Sequence, residues 1–429
     1  MSGTKIRWNL LANVYGQMVT IVLQIAVIPF LLHVWSLEQY GVWLILSAIP
    51  AYLSIADGGL IAIAANRMSI HFARGEAREA VRTFENLLAF VCLLTAAIGV
   101  SALGVLGVLV ACGALVPAHA IVIGCLAAAT LCSIYSSIVE AVCRANGSNH
   151  QGVFYTHSAR VVEWLACLTG AALTGTLVGA AVGTLGGRAL AVALSIFRVG
   201  RRYRAFDWLA PKLEWAQIRP IAREALSFIV FPLGSAIQLQ GFLLAAGSLY
   251  GVGYAAIFST YRTLARSLVQ FSAILSNAAW PEYSVFFATQ RFVSLQELFK
   301  KITRWIFAGS FGFMLAIFLL AGRIIPAWTH GKIHVIWPDF TLILCSTFVL
   351  ANWQGHRILL FANNMHSKIF KQYLLATLGV LSALLVFGRF GNSSSVGMAM
   401  LCFELIMTVV TTRATRSTFQ ELFQFHPAT

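Results

Sequence analysis

The chain has 429 residues, 59% of them hydrophobic and only 10% charged, with a mean hydropathy of +0.79. Soluble domains carry about 25% charged residues, so this composition excludes a soluble enzyme and marks an integral membrane protein. A net charge of +15 would point a soluble protein toward nucleic acid. Here the placement of the charges points elsewhere.

In chain order the apolar runs predict twelve spans: 10–32, 40–64, 87–109, 120–142, 153–173, 177–197, 225–250, 252–280, 305–325, 336–361, 369–388 and 395–412. They are long and continuously apolar, unlike the short alternating strands of a barrel, so they read as helices. The N-terminal MSGTKIRWNLLANVYGQ offers no small-residue cleavage site, and the first run is expected to remain as a span. Of the 30 Lys and Arg, 22 fall at the N-terminus, in the even-numbered loops and in the tail. Only Arg323, Lys332 and Arg389 fall in the odd loops, and five arginines lie inside spans. The positive-inside rule then puts both termini in the cytoplasm. It also explains the basic balance as a topology signal with attraction to anionic lipid, and nucleic acid is not an expected partner.

The longest basic connection, 198–223, divides the chain into two six-span halves, 1–205 and 206–429. Because six is even, both halves enter from the same side, the geometry of a parallel repeat. Setting Tyr40-Gly41-Val42 against Val252-Gly253-Tyr254 aligns the second span with the eighth. The expected fold is an all-α integral membrane protein, twelve transmembrane helices in two six-helix lobes related by a pseudo-two-fold along the membrane normal.

Within the spans, Pro29 and Pro232 read as hinges in the first helix of each half. Gly183, Gly186 and Gly187 read as sites of close helix packing. The eight cysteines form no CxxC pair and the ten histidines no metal-ligand spacing, so no metal or cofactor is expected. His356, beside Arg357, is a candidate proton carrier. Trp164, Tyr254, Tyr261 and Trp353 could stack on sugar faces, although ordinary packing accounts for them as well.

The intramembrane charges carry the functional argument. The basic members are Arg160, Arg188, Arg262, Arg266 and Arg357; the acidic members are Asp57, Glu140, Glu163 and Glu404. Arg160 with Glu163, and Glu140 with Arg144, can neutralise one another along their own helices. The run 252–280 places Arg262 and Arg266 four residues apart, hence on one helical face. A guanidinium at the bilayer centre costs about 2.5–3.5 kcal/mol. Such residues therefore face protein or water and meet an anion. The excess of cation favours a polyanion, a phosphate or pyrophosphate. Arg262, Arg266, Arg188, Arg357 and Arg160 are the candidate substrate-binding set, and Asp57, Glu404 and Glu163 the candidate ion-coupling set. A competing reading makes Arg262 and Arg266 a structural lock salt-bridged to Asp57 or Glu404. No nucleotide loop, catalytic triad or large outer loop is present, so the chain reads as a transporter and not an enzyme.

Asn13, Gly16, Gln24, Pro29, Tyr40-Gly41-Val42-Trp43, Tyr52 and Asp57-Gly58-Gly59 resemble the N-terminal pattern of polysaccharide-biosynthesis, O-antigen-type flippases. These belong to the multidrug/oligosaccharidyl-lipid/polysaccharide exporter superfamily. The resemblance implies a bacterial inner-membrane protein that moves an undecaprenyl-pyrophosphate-linked oligosaccharide between leaflets by alternating access, driven by an ion gradient. Its implied partners are that glycan, membrane lipids and the glycan polymerase and ligase machinery. A drug exporter of the same superfamily is the alternative, and would call for an acid-rich cavity. A membrane glycan polymerase or ligase is a more distant one.

Overall fold

The computed structural model describes residues 3–56, 59–228, 230–363, 365 and 367–425. Among the described residues every regular element is helical. Eight helices or helix pairs among the described residues are long and apolar enough to cross a membrane by length and composition alone. The other predicted spans, 153–173, 225–250, 252–280 and 336–361, hold much of the interior polar chemistry described below.

The chain divides into two compact units, Met1–Ala236 and Ile237–Thr429. In the first, α1 (Gly3–Val34) packs on α6 (Asn149–Thr174), and Gly16 admits the His157 ring against the α1 backbone. The second predicted span is not one helix. It runs as α2 (Leu37–Ala51), a short 3-10 turn (Tyr52–Ile55) and α3 (Leu60–Ala73). Ser36 and Gln39 close a capping box at its start, satisfying orphan N–H groups reciprocally. Pro50 sits in the last turn of α2, where a missing N–H weakens the ladder. Gly59, at φ 82, launches α3 from the left-handed region, which suits a residue without a Cβ. The long helices α4 (Ala77–Ala111) and α5 (Pro117–Ala145) follow. Then α6 and α7 (Leu177–Arg202) form a hairpin turned at Gly175 and capped by Thr176.

The 198–223 connection carries more structure than a loop. α8 (Trp215–Phe228) rests on α3 and α4 and belongs to the first unit. Residue 229 lies outside the described residues, and the predicted seventh span, 225–250, takes in the end of α8 and all of α9 (Val230–Tyr250). Pro232, the expected hinge, lies in α9.

In the second unit, α9 turns at Gly251, φ 90, into α10 (Val252–Ala265). The expected continuous helix 252–280 is interrupted at Arg266 and resumes as α11 (Ser267–Ala288). The Ser267 hydroxyl donates to the Leu264 carbonyl at 2.7 Å, giving that carbonyl a side-chain partner at the break. α12 (Phe292–Trp328), α13 (Trp337–Ala362), α14 (Ser367–Phe387) and α15 (Ser394–Phe425) complete the unit. Placing Val252 against Tyr40 is a shift of 212 residues, and the same shift sets Arg266 on Ser54, inside the 3-10 turn. The second span of each half is thus interrupted at the same register, an internal likeness far clearer than the residue identities.

Candidate functional site

The intramembrane charges are best taken unit by unit. In the first, Glu163 on α6 pairs with Arg188 on α7, and the Arg188 side chain is 9% exposed. The ion-pair partner of Glu163 is thus Arg188 across the α6–α7 contact, while Arg160 on its own helix makes no ion pair with it. Arg160 is exposed one turn before Glu163. The Nε of Arg188 is buried without a hydrogen-bond partner. Glu140 does approach Arg144, at 3.6 Å, and also accepts from the Thr156 hydroxyl at 3.0 Å.

Glycines bring this ion pair together. A Cβ on Gly183 would lie 2.2 Å from the Ala166 carbonyl oxygen, and one on Gly187 would lie 2.8 Å from that of Val162. The α7 backbone thus lies directly on α6 beside Glu163. Gly183→Ala should cost about 1–3 kcal/mol through overpacking. Gly186→Ala, with nothing within 4 Å of its Cβ, should cost nothing. Melting of the two purified variants in detergent gives the comparison.

In the second unit the centre is Glu404, which is 0% exposed on α15. One carboxylate oxygen accepts from Gln238 Nε2 at 2.9 Å, the other from Trp353 Nε1 at 2.6 Å. The Tyr373 hydroxyl donates to Gln238 Oε1 at 2.9 Å, which orients the amide so that its N–H groups face the carboxylate. Arg357, one turn after Trp353, is the charged neighbour acting on Glu404, and its guanidinium lies over the Trp353 and Phe361 rings. Four helices, α9, α13, α14 and α15, therefore converge on one carboxylate. Sequence singles out Glu404 and names Trp353 only as a packing or stacking residue. Gln238 and Tyr373 carry no spacing signal.

Arg262 and Arg266 have different surroundings. Arg262 donates to the Leu239 carbonyl at 2.6 Å and lies over the Phe258 ring. Arg266 stands at the break between α10 and α11 with its side chain exposed. Among the described residues its side chain makes no hydrogen bond or ion pair. Glu404 is held by neutral donors and makes no ion pair with either arginine, which removes half of the lock reading. Asp57, the other half, lies outside the described residues.

Other candidates lie inside the protein. Tyr254, Tyr261 and Trp353 are buried. His356 is held between the Thr415 hydroxyl and the Phe299 ring. All eight cysteines are free thiols. Asp339 is a further buried carboxylate, inside the tenth predicted span but absent from the acidic set that sequence brings forward. It accepts from the Tyr254 hydroxyl at 2.8 Å and the Ser394 hydroxyl at 2.6 Å. Among the described residues no group of three or more His, Cys, Asp and Glu could hold a metal ion.

No protein-family model matches the chain, and no curated protein does. Solved structures do match in fold. One is the inward-facing conformation of a multidrug resistance MATE family transporter of the MOP superfamily. It has a TM-score of 0.78 at 13% identity, over 95% of this chain and 96% of that one. The outward-facing conformation of such a transporter scores 0.65 at 13% identity, over 97% and 96%. A MOP superfamily transporter from Pyrococcus furiosus, whose binding pocket of reverse polarity suggests a different function, scores 0.63 at 12% identity, over 97% and 96%. This chain has the fold of those membrane transporters.

Proposed function

We propose that the chain is a multi-pass transporter of an anionic, lipid-linked substrate, moving a polyprenyl-pyrophosphate-linked oligosaccharide across a bacterial inner membrane by alternating access. Both termini lie on the cytoplasmic side, as the Lys and Arg bias suggests. The observation that carries this reading is Arg266, an exposed guanidinium at the break of α10 and α11 with no acceptor among the described residues. A cation held at that depth without a protein partner is an anion site in waiting, and a planar guanidinium suits phosphate oxygens bidentately. Interrupted helices in both halves fit the places where transporters of repeated architecture bind substrate. Glu404 is the coupling group in this reading, a buried carboxylate with Arg357 as its charged neighbour.

A second reading, an antiporter of drugs or organic ions, is favoured by the neighbours that are multidrug resistance transporters. The neighbour whose binding pocket of reverse polarity suggests a different function supports keeping the choice of substrate apart from the likeness in fold. The side chain of Arg266, which has no acceptor among the described residues, favours the anionic reading here.

Proteoliposomes loaded with a short-chain polyprenyl-pyrophosphate disaccharide separate the two. Arg266→Ala should bind and flip it tenfold to a hundredfold more weakly, the loss of about 1.5–3 kcal/mol of charge-assisted hydrogen bonding. Its yield should stay normal, because Arg266 supports no other residue. Unchanged flipping by Arg266→Ala, or uptake of an organic cation by the unmodified protein in place of the glycolipid, would transfer the assignment to the exporter.

A further inference from the structure

The connection from α7 to α9 is fastened to the first unit at one place and bare at another. Glu214 accepts from Arg82 through both its oxygens, one at 3.1 Å, and its backbone N–H donates to Asn86 Oδ1 at 2.5 Å. The Arg82 guanidinium holds the Glu214 carboxyl below the usual carboxylate range, so this clamp is charged at neutral pH. The Phe206 and Trp208 rings meet Phe84 edge-on, each with centroids 5.1 Å apart. Ile218 and Ile221 on α8 are buried in the same core.

The start of α8 also presents an exposed side. Trp215 is 60% exposed, Arg219 is exposed one turn on, and Leu209 at the tip of the preceding loop is 93% exposed. Their depth can be read from α4. Arg82, Glu85 and Asn86 end its polar start, the apolar run begins at Leu87, and the Trp215 ring lies edge-on to Phe90 with centroids 6.5 Å apart. Trp215 therefore sits where α4 passes from polar to apolar, the level at which tryptophan is enriched. On α7 the same transition falls at exposed Phe197, with the Arg201 guanidinium over its ring at 4.3 Å. That is an arginine whose stem follows apolar surface while its head reaches outward. Arg198, Arg202 and Arg204 are exposed beside it.

We propose that α8 and the loop before it form an interfacial anchor, with Trp215 and Leu209 in the acyl boundary of the leaflet on the basic side and Arg201 and Arg219 holding the headgroups of anionic phospholipids. The surface carries five exposed arginines from 198 to 219, a charge complement to an anionic leaflet. The inference needs only that the chain spans a membrane, and is independent of the substrate.

The test uses the full chain, freed of its eight native cysteines, in vesicles of phosphatidylcholine with or without phosphatidylglycerol. Nitroxides at positions 209 and 215 should relax with dissolved oxygen in preference to a water-soluble nickel chelate, and one at 212 the reverse. A fluorophore at 209 should be quenched more by brominated phosphatidylglycerol than by brominated phosphatidylcholine. Arg219→Gln should lower that preference about fivefold, the worth of one basic residue near an anionic surface. Chelate access at 209 and 215 equal to that at 212 would overturn the anchor. So would equal quenching by the two lipids, and so would shielding of both labels from both reagents, which would point to a protein partner. Leu209 packs on nothing that a label would disturb, so its result stands even if the substitution at Trp215 unseats α8.

Discussion

Arg188→Ala should remove most of the folded protein from the membrane. The Arg188 and Glu163 side chains meet across the α6–α7 contact with exposures of 9% and 17%. Taking away one partner leaves a buried carboxylate unneutralised, a loss of about 3–5 kcal/mol. That is a large share of the 5–15 kcal/mol by which folded proteins typically exceed their unfolded chains. The paired replacement Arg188→Met with Glu163→Leu should recover much of the abundance, because a buried ion pair exchanged for apolar volume is often close to neutral. Fluorescence-detected size exclusion of tagged variants reads this directly. Should Arg188→Ala accumulate and melt like the parent, the pair is not a structural element. If the paired replacement folds well yet no longer transports, the charges serve substrate in addition to structure.

The helical, membrane-spanning class is legible in the sequence because run length and hydropathy survive any packing arrangement. The interruption of the second span is legible in part through Pro50. That of the eighth is not, since neither Gly nor Pro marks Arg266 and a serine hydroxyl supplies the local alternative bond. The Arg188–Glu163 pair has a signal that a reading along one helix overlooks. Glu163 lies twelve residues before Gly175 and Arg188 twelve after Thr176, equidistant from the turn of an antiparallel hairpin. Reading Arg160 against Glu163 by their spacing of three follows a rule for isolated helices, worth about 0.2–0.5 kcal/mol. Tertiary contact overrides it. The Glu404 cluster offers no such arithmetic, because its four members come from four helices whose mutual arrangement is a product of the whole second unit.

That cluster gives the second large effect. Glu404→Leu would leave the Trp353 indole N–H and the Gln238 amide buried without acceptors, about 1–3 kcal/mol for each, and folded yield should drop steeply. Glu404→Gln keeps the shape and one acceptor oxygen, so it should fold at a yield between Glu404→Leu and the parent. Trp353→Phe removes one donor and leaves the carboxylate with Gln238 alone. A cycle of Glu404→Gln, Trp353→Phe and their combination isolates the energy of that contact. The single effects should not add, because the two residues share one hydrogen bond. Coupling is read separately, on protein that has folded. With Glu404→Gln in proteoliposomes, glycolipid binding should persist, since Arg266 is unaltered, while the response of flipping to an imposed ion gradient should vanish. Full gradient-driven flipping by well-folded Glu404→Gln would reduce the cluster to a structural brace joining α9, α13, α14 and α15. Loss of both binding and flipping would instead place substrate against Glu404 itself.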